Sequence, residues 1–142
     1  MAVEALAYLA GLIDGDGCIL ILSRKGPATR SDRARGLSFI VEVKIGGDSE
    51  HLRGLRQEFK NIGSVYVRPM DHLAEWTIAG QMARSLLADT LPYLRLKKRQ
   101  ALLALGMPHP RTRWGVTNEL RERQAWHQAE VRRLNHRGRG IL

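Results

Sequence analysis

The sequence predicts an α+β fold with one antiparallel sheet. Segments with apolar residues at helical spacing alternate with β-favouring runs in the order helix, two strands, helix, two strands, then helices. The second strand segment alternates apolar and polar residues, as a half-buried strand does, and the last two strand segments read as a hairpin. No segment recurs within the 142 residues, a length that suits one domain with one core.

The first helix spans Val3 to Ile13, where Ala and Leu dominate, and ends near Asp14-Gly15-Asp16-Gly17, two glycines and two aspartates in succession. Cys18 to Leu22 is an apolar, β-favouring run, and the basic, turn-rich stretch Gly26 to Gly36 is a long loop. Leu37 to Ile45 places Phe39, Val41 and Val43 on one face and Ser38, Glu42 and Lys44 on the other. Asp48 or Ser49 caps a helix to about Asn61, with Leu52, Leu55, Phe59 and Ile62 as its buried stripe and Gly63 as its stop. Val65 to Arg68 and Leu73 to Ile78 form the hairpin, turning through Pro69 to His72. Gln81 to Asp89 is a short helix broken by Leu91-Pro92, and Arg95 to Leu105 is another, ended by Gly106-Met-Pro-His-Pro110. Thr117 or Asn118 caps a long polar helix to about Asn135, followed by a Gly/Arg-rich tail. Residues 1–142 thus read as one domain, with a core over about 1–107 and a basic C-terminal helix and tail over about 108–142.

Composition then points at partners. Twenty-three Lys and Arg face 14 Asp and Glu, a formal net charge of +9, and a balance that basic favours a polyanion. The charge gathers in Arg24 to Arg35, in Arg95 to Arg99, and in the arginines after Pro108. Arginine dominates lysine, which suits phosphate, because the guanidinium fork pairs bidentately with phosphate oxygens. A membrane surface would call for a basic amphipathic helix with a strong apolar face, and residues 118 to 135 lack one. No run approaches the ~20 apolar residues of a membrane span, and Met1 to Tyr8 has no basic region ahead of an apolar stretch, so an intracellular location is expected. Cys18 stands alone, which excludes an intramolecular disulfide and a cysteine zinc cage. His51, His72, His109, His127 and His136 are scattered without metal-ligand spacing and read as surface residues.

The chemistry concentrates in the first helix. Ala7, Ala10 and Gly11 are small enough for a second helix to approach closely, and acids stand at the helix C-terminus, where the macrodipole disfavours carboxylates by ~0.3–1 kcal/mol. A hard divalent cation such as Mg²⁺ would offset that cost, since it seeks carboxylate and carbonyl oxygens. The run Leu9-Ala-Gly-Leu-Ile-Asp-Gly-Asp-Gly17 resembles the LAGLIDADG signature of homing endonucleases and their relatives, departing from it only at Gly15, where the signature has alanine. Ile62-Gly-Ser-Val-Tyr-Val-Arg68 is similar to the family's strand entry after its second helix. Leu91-Pro-Tyr-Leu-Arg-Leu-Lys-Lys-Arg-Gln100 is similar to the segment that carries its active-site lysine, and Leu134-Asn-His-Arg-Gly138 to a common ending of such domains.

The resemblance implies an α-β-β-α-β-β-α fold with a saddle-shaped antiparallel sheet. It also implies a homodimer through the motif helices, since single-motif members pair and double-motif members are pseudo-symmetric monomers. Ala7, Ala10, Gly11 and Asp14 would lie at that interface, with Gly11 near the helix crossing and Asp14 closing the helix end by hydrogen bonding. The implied activity is a sequence-specific, metal-dependent staggered double-strand cut in a long near-palindromic DNA site. Asp16 matches the metal-binding catalytic acid, the Gly15 carbonyl is an additional ligand, and Mg²⁺ is the cofactor, with Mn²⁺ or Ca²⁺ able to occupy the same sites. Lys97 is the best match to the active-site lysine, with Lys98 its competitor.

Many members carry a polar residue, often Gln, near the end of the second strand to order active-site water. Here Val43-Lys-Ile-Gly-Gly47 has none, and Lys44 is the candidate substitute. The DNA-facing set would be Leu22 and Arg24, then Ser38, Glu42 and Lys44, then Tyr66, Arg68, Met70, Glu75 and Thr77, with Arg30, Arg33 and Arg35 extending the contact from the long loop. Arg24 and Arg68 suit guanine, Glu42 or Glu75 suits cytosine, and Trp76 belongs to the core. Two other roles share the fold: an RNA maturase that assists intron splicing, and a catalytically degenerate DNA-binding regulator. Presence of both Asp16 and Lys97 favours the nuclease.

Overall fold

The computed structural model describes residues 2–25, 37–110 and 116–140. In chain order the elements are α1 (Val3–Asp16), β1 (Gly17–Lys25), β2 (Leu37–Asp48), α2 (Ser49–Glu58), β3 (Ser64–Val67), β4 (Leu73–Ala79), α3 (Gly80–Thr90), α4 (Lys98–Gly106) and α5 (Asn118–Gly140), with a 3₁₀ turn over Leu91–Tyr93. The four strands form one antiparallel sheet in the order β1-β2-β4-β3. The α+β architecture expected from the pattern of segments is therefore present.

Strand alternation decides which face is covered. Ile19, Val43 and Ile78 share a cross-strand row, and so do Ile45, Trp76 and Val65. All but Val65, which is half-buried, are fully buried, with Leu9, Ala10 and Ile13 of α1, Leu52 and Leu55 of α2, and Ala83, Leu86 and Leu87 of α3 completing the core. Trp76 belongs to that core, as its place in the alternation requires, and its indole Nε1 donates to the Ile62 carbonyl at 2.9 Å, so its polar atom is satisfied.

Local chemistry sets the element ends. The Asp48 carboxylate accepts from the His51 amide at 3.0 Å and caps α2. That helix stops at Glu58, short of the expected Asn61, because Lys60 and Asn61 both adopt left-handed φ of 59° and 57°. Gly63 follows at φ 69°, where a Cβ would fall 2.2 Å from the Thr77 carbonyl oxygen, so only glycine fits. α1 runs on to Asp16, through the expected Asp-Gly turn, and a Cβ on Gly17 would stand 2.7 Å from Ile13 Cα as the chain leaves the helix.

Two further expectations are corrected. α4 starts at Lys98 instead of Arg95: the amides of Arg95, Leu96 and Lys97 bond to Asp14, and Lys97, at φ −106° and ψ 19°, is the N-cap. α5 continues to Gly140, so the expected tail after Asn135 is helical as far as that residue. Helix α5 lies along the outer edge of β1: Gln128 Nε2 donates to the Ile21 carbonyl at 2.8 Å and Asn135 Nδ2 to the Ile19 carbonyl at 3.0 Å. The two amides close an edge strand that would otherwise offer free carbonyls for pairing.

Candidate functional site

The acid centre is built from the end of α1 and the segment before α4. Asp16 is exposed on the last turn of α1, and its carboxylate makes no hydrogen bond or ion pair among the described residues. Asp14, two residues earlier, is half-buried and fully engaged. Its carboxylate accepts from Arg95 N at 2.7 Å, Leu96 N at 3.1 Å and Lys97 N at 2.9 Å. In return the Lys97 ammonium donates to the carbonyls of Ile13 at 2.9 Å and Asp14 at 2.8 Å. Ile13 also accepts from the Gly17 amide, whereas Asp14 is among the last four carbonyls that a helix leaves without intrahelical donors, and a cation there complements the dipole. Lys97 therefore reaches the end of α1, whereas Lys98 is exposed and begins α4. Asp14 does fix the helix end by hydrogen bonding, but to a loop 81 to 83 residues away, not to its own turn.

Asp16 opens onto the outer face of the sheet. A hollow of about 510 Å³ is lined by Asp16, Gly46, Gly47, Tyr66, Arg68, Leu73, Ala74 and Glu75. Beyond it the register sets out rows: Gly46, Glu75 and Tyr66; then Cys18, Lys44, Thr77 and Ser64; then Leu20, Glu42 and Ala79; then Leu22 with Ile40; then Arg24 with Ser38. The structure thus brings Arg24, Ser38, Glu42, Lys44, Tyr66, Glu75 and Thr77 to one face, as the alternation predicts, with Arg68 and Met70 exposed at the β3–β4 turn. Leu20 and Ile40 share that face and were absent from the expected set, although the same alternation places them there. Arg30, Arg33 and Arg35 lie outside the described residues.

Glu42 requires a correction, because it is 5% exposed and not open to solvent. Leu20 and Ala79 flank it across the strands, and the Lys44 ammonium lies 3.5 Å from its Oε1. The same ammonium stands 3.6 Å from Glu75 Oε1. Partial burial acts to lower the Lys44 pKa, but Glu75 and Glu42 outweigh it and hold the ammonium above the ordinary lysine value. Lys44 is committed to these two carboxylates, and positions 45 to 47 offer a buried isoleucine and two glycines, so no side chain there orders water beside Asp16. Arg68 is paired with Asp71 at 3.0 Å, both exposed.

The outward side of α1 carries Ala7, Tyr8, Gly11 and Gly15, all exposed, with nothing within 4 Å of a Cβ at either glycine. Ala10 is the second correction: it is 0% exposed and packs in the core, so it cannot meet another chain. The ~100° between successive helical residues is enough to turn Gly11 outward while Ala10 faces the sheet. His127 is the third, being half-buried with Nδ1 2.8 Å from the Leu103 carbonyl. No described helix is long and apolar enough to cross a membrane.

The LAGLIDADG endonuclease family profile matches residues 9–99. The chain belongs to that family. A LAGLIDADG relative from Chlamydomonas reinhardtii, DNA endonuclease I-CreI, is 29% identical over 103 residues, which cover 72% of this chain; the chain spans 61% of that relative's length. The homing endonuclease I-CvuI, in complex with its target in the presence of Ca, matches with TM-score 0.74 and 27% identity over 92% of this chain and 82% of that one. The archaeal intron-encoded homing endonuclease I-Vdi141I, complexed with DNA, shares the fold at TM-score 0.72 and 13% identity over 92% of this chain and 84% of that one.

Proposed function

We propose that this LAGLIDADG chain is a sequence-specific DNA endonuclease that acts as a pair of identical subunits and makes a metal-dependent staggered cut in a near-palindromic site. The observation that carries the reading is Asp16, an exposed acid with no protein partner among the described residues, at the end of a helix whose outward side is lined by small residues and beside a sheet face studded with hydrogen-bonding side chains. The similarity to I-CreI and to I-CvuI bound to DNA supports it.

The donors fit a hard divalent cation such as Mg²⁺. Asp16 and the Gly15 carbonyl are oxygen ligands at the end of α1, and Lys97 has already taken the Ile13 and Asp14 carbonyls. Among the described residues no group of three or more His, Cys, Asp or Glu gathers to form a closed cage. An open carboxylate site in each of two subunits agrees with an ion that retains several waters. When bound, the ion would supply charge neutralisation at the phosphate and leaving oxygen and a more acidic water.

The chain's own side chains do the remainder. Two α1 helices meeting through Ala7 and Gly11 would bring both Asp16 carboxylates to the middle of a two-fold-related site. Lys97 cancels negative carbonyl charge where phosphates must approach, and its cationic end favours the developing phosphoryl charge. Arg24 and Arg68 suit guanine edges, and Glu75 suits cytosine's amino group. Leu22 and Ile40 offer apolar contact to thymine methyls.

The test is selection of a randomised near-palindromic duplex library by the full chain with Mg²⁺. Recovery of cut ends at a two-fold-related sequence is the expected result. Enrichment of intact DNA without cutting would instead assign a binding protein.

A further inference from the structure

We propose that Asp14 is the positioning residue of the cleavage reaction, fixing Lys97 against the end of α1; this rests on the endonuclease reading above. A carboxylate at a helix C-terminus opposes the dipole, so Asp14 costs stability unless donors surround it. Three consecutive backbone amides do so, from Arg95, Leu96 and Lys97, and charge-assisted bonds of this kind are the stronger ones. They are made by a segment whose preceding residue, Leu94, is 3% exposed in the core and whose last residue is the N-cap of α4. The segment is therefore pinned at Leu94, at Asp14 and at the start of α4.

The consequence is for the lysine. Lys97 gives its backbone amide to the Asp14 carboxylate and its ammonium to the Asp14 and Ile13 carbonyls. Main chain and side chain of one residue are thus tied to a single turn of α1, the turn that leads into Asp16. A long, rotamer-rich side chain held at both ends meets the phosphate already oriented, and orientation of this kind contributes directly to rate. Without the Asp14 carboxylate the segment 95–97 has three amide donors to place elsewhere, and the ammonium loses its fixed origin. Asp14 touches no substrate on this account and acts only through Lys97.

A double-mutant cycle separates that role from a general contribution to folding. Single-turnover cleavage of the selected duplex by the full chain with Mg²⁺ is measured for wild type, Asp14→Asn, Lys97→Met and the double variant, together with duplex affinity and thermal midpoint. Asp14→Asn is expected to slow cleavage about 10- to 100-fold with affinity changed less than about two-fold, and to slow the Lys97→Met enzyme less than about three-fold further. Equal losses in both backgrounds, or no loss in wild type, would overturn the positioning role while leaving the endonuclease reading intact. Failure of wild type itself to cut any selected duplex would overturn both. If Asp14→Asn does not fold at the assay temperature, Asp14→Glu keeps the charge, displaces it by one methylene and carries the same cycle.

Discussion

Lys44 sits in the middle of the outer sheet face with carboxylates on two sides, 3.5 Å from Glu42 and 3.6 Å from Glu75. A lysine so placed contributes little to phosphate neutralisation, because its charge is already answered. Glu75→Gln removes one of the two carboxylates, and it is expected to tighten non-specific duplex binding and steepen the slope of log affinity against log salt by roughly one unit. Fluorescence anisotropy across a salt series reads this directly, and an unchanged slope would mean that Lys44 already contacts phosphate. Alternation placed these three side chains on one face correctly. It could not show that Glu42 is buried, since that depends on Leu20 and Ala79 across two strand pairings. Likewise it is bonds to Ile13 and Asp14, more than 80 residues away, that bring Lys97 to the end of α1, and local sequence does not encode them.

Among the elements, α5 has a role that its polar composition conceals. Gln128 and Asn135 stand seven residues apart, two turns of helix, and reach the carbonyls of Ile21 and Ile19 on the free edge of β1. Each carbonyl left without its donor costs about 1–3 kcal/mol. Gln128→Leu and Asn135→Leu are each expected to destabilise the chain by about 1–2 kcal/mol, with greater self-association through the opened edge. Urea unfolding checks the first expectation and light scattering the second; a change below ~0.5 kcal/mol for both would show that water replaces the amides at no cost. The helix itself was legible from Thr117 onward, and Thr117 Oγ1 does accept from the Leu120 amide at 3.1 Å. Its docking was not legible, because the partners lie 107 and 116 residues away. The start of α4 at Lys98 was not legible for a related reason: residues 95–97 form a non-helical bend bonded to a carboxylate more than 80 residues away, whereas propensity alone favours a helix from Arg95.

For the whole molecule, the proposed reaction needs two copies, and the exposed side of α1 is the surface proposed for their contact. Gly11 is exposed, with open space around a hypothetical Cβ within its own chain. Gly11→Leu is expected to leave the thermal midpoint of the single chain nearly unchanged while shifting sedimentation from dimer toward monomer and reducing cleavage in parallel. A dimer that persists in this variant would move the contact to another face. The motif made legible an exposed acid, Asp16, at the end of α1 and an exposed small residue, Gly11, on the same helix. It placed Ala10 outward, but a nine-residue helical signature carries both a face that packs on the sheet and a face that stays exposed.

In the proposed reaction, cleavage depends on Asp16, the exposed acid at the end of α1. The measurement that tests it most directly is single-turnover cleavage of the selected duplex, with Mg²⁺ and with chelator, by wild type and by Asp16→Asn, with duplex binding followed in parallel. Two staggered cuts by wild type only with metal are expected, and a loss of at least about 10³-fold in Asp16→Asn with binding retained. Cleavage by Asp16→Asn at the wild-type rate, or wild-type cleavage undiminished by chelator, would contradict it.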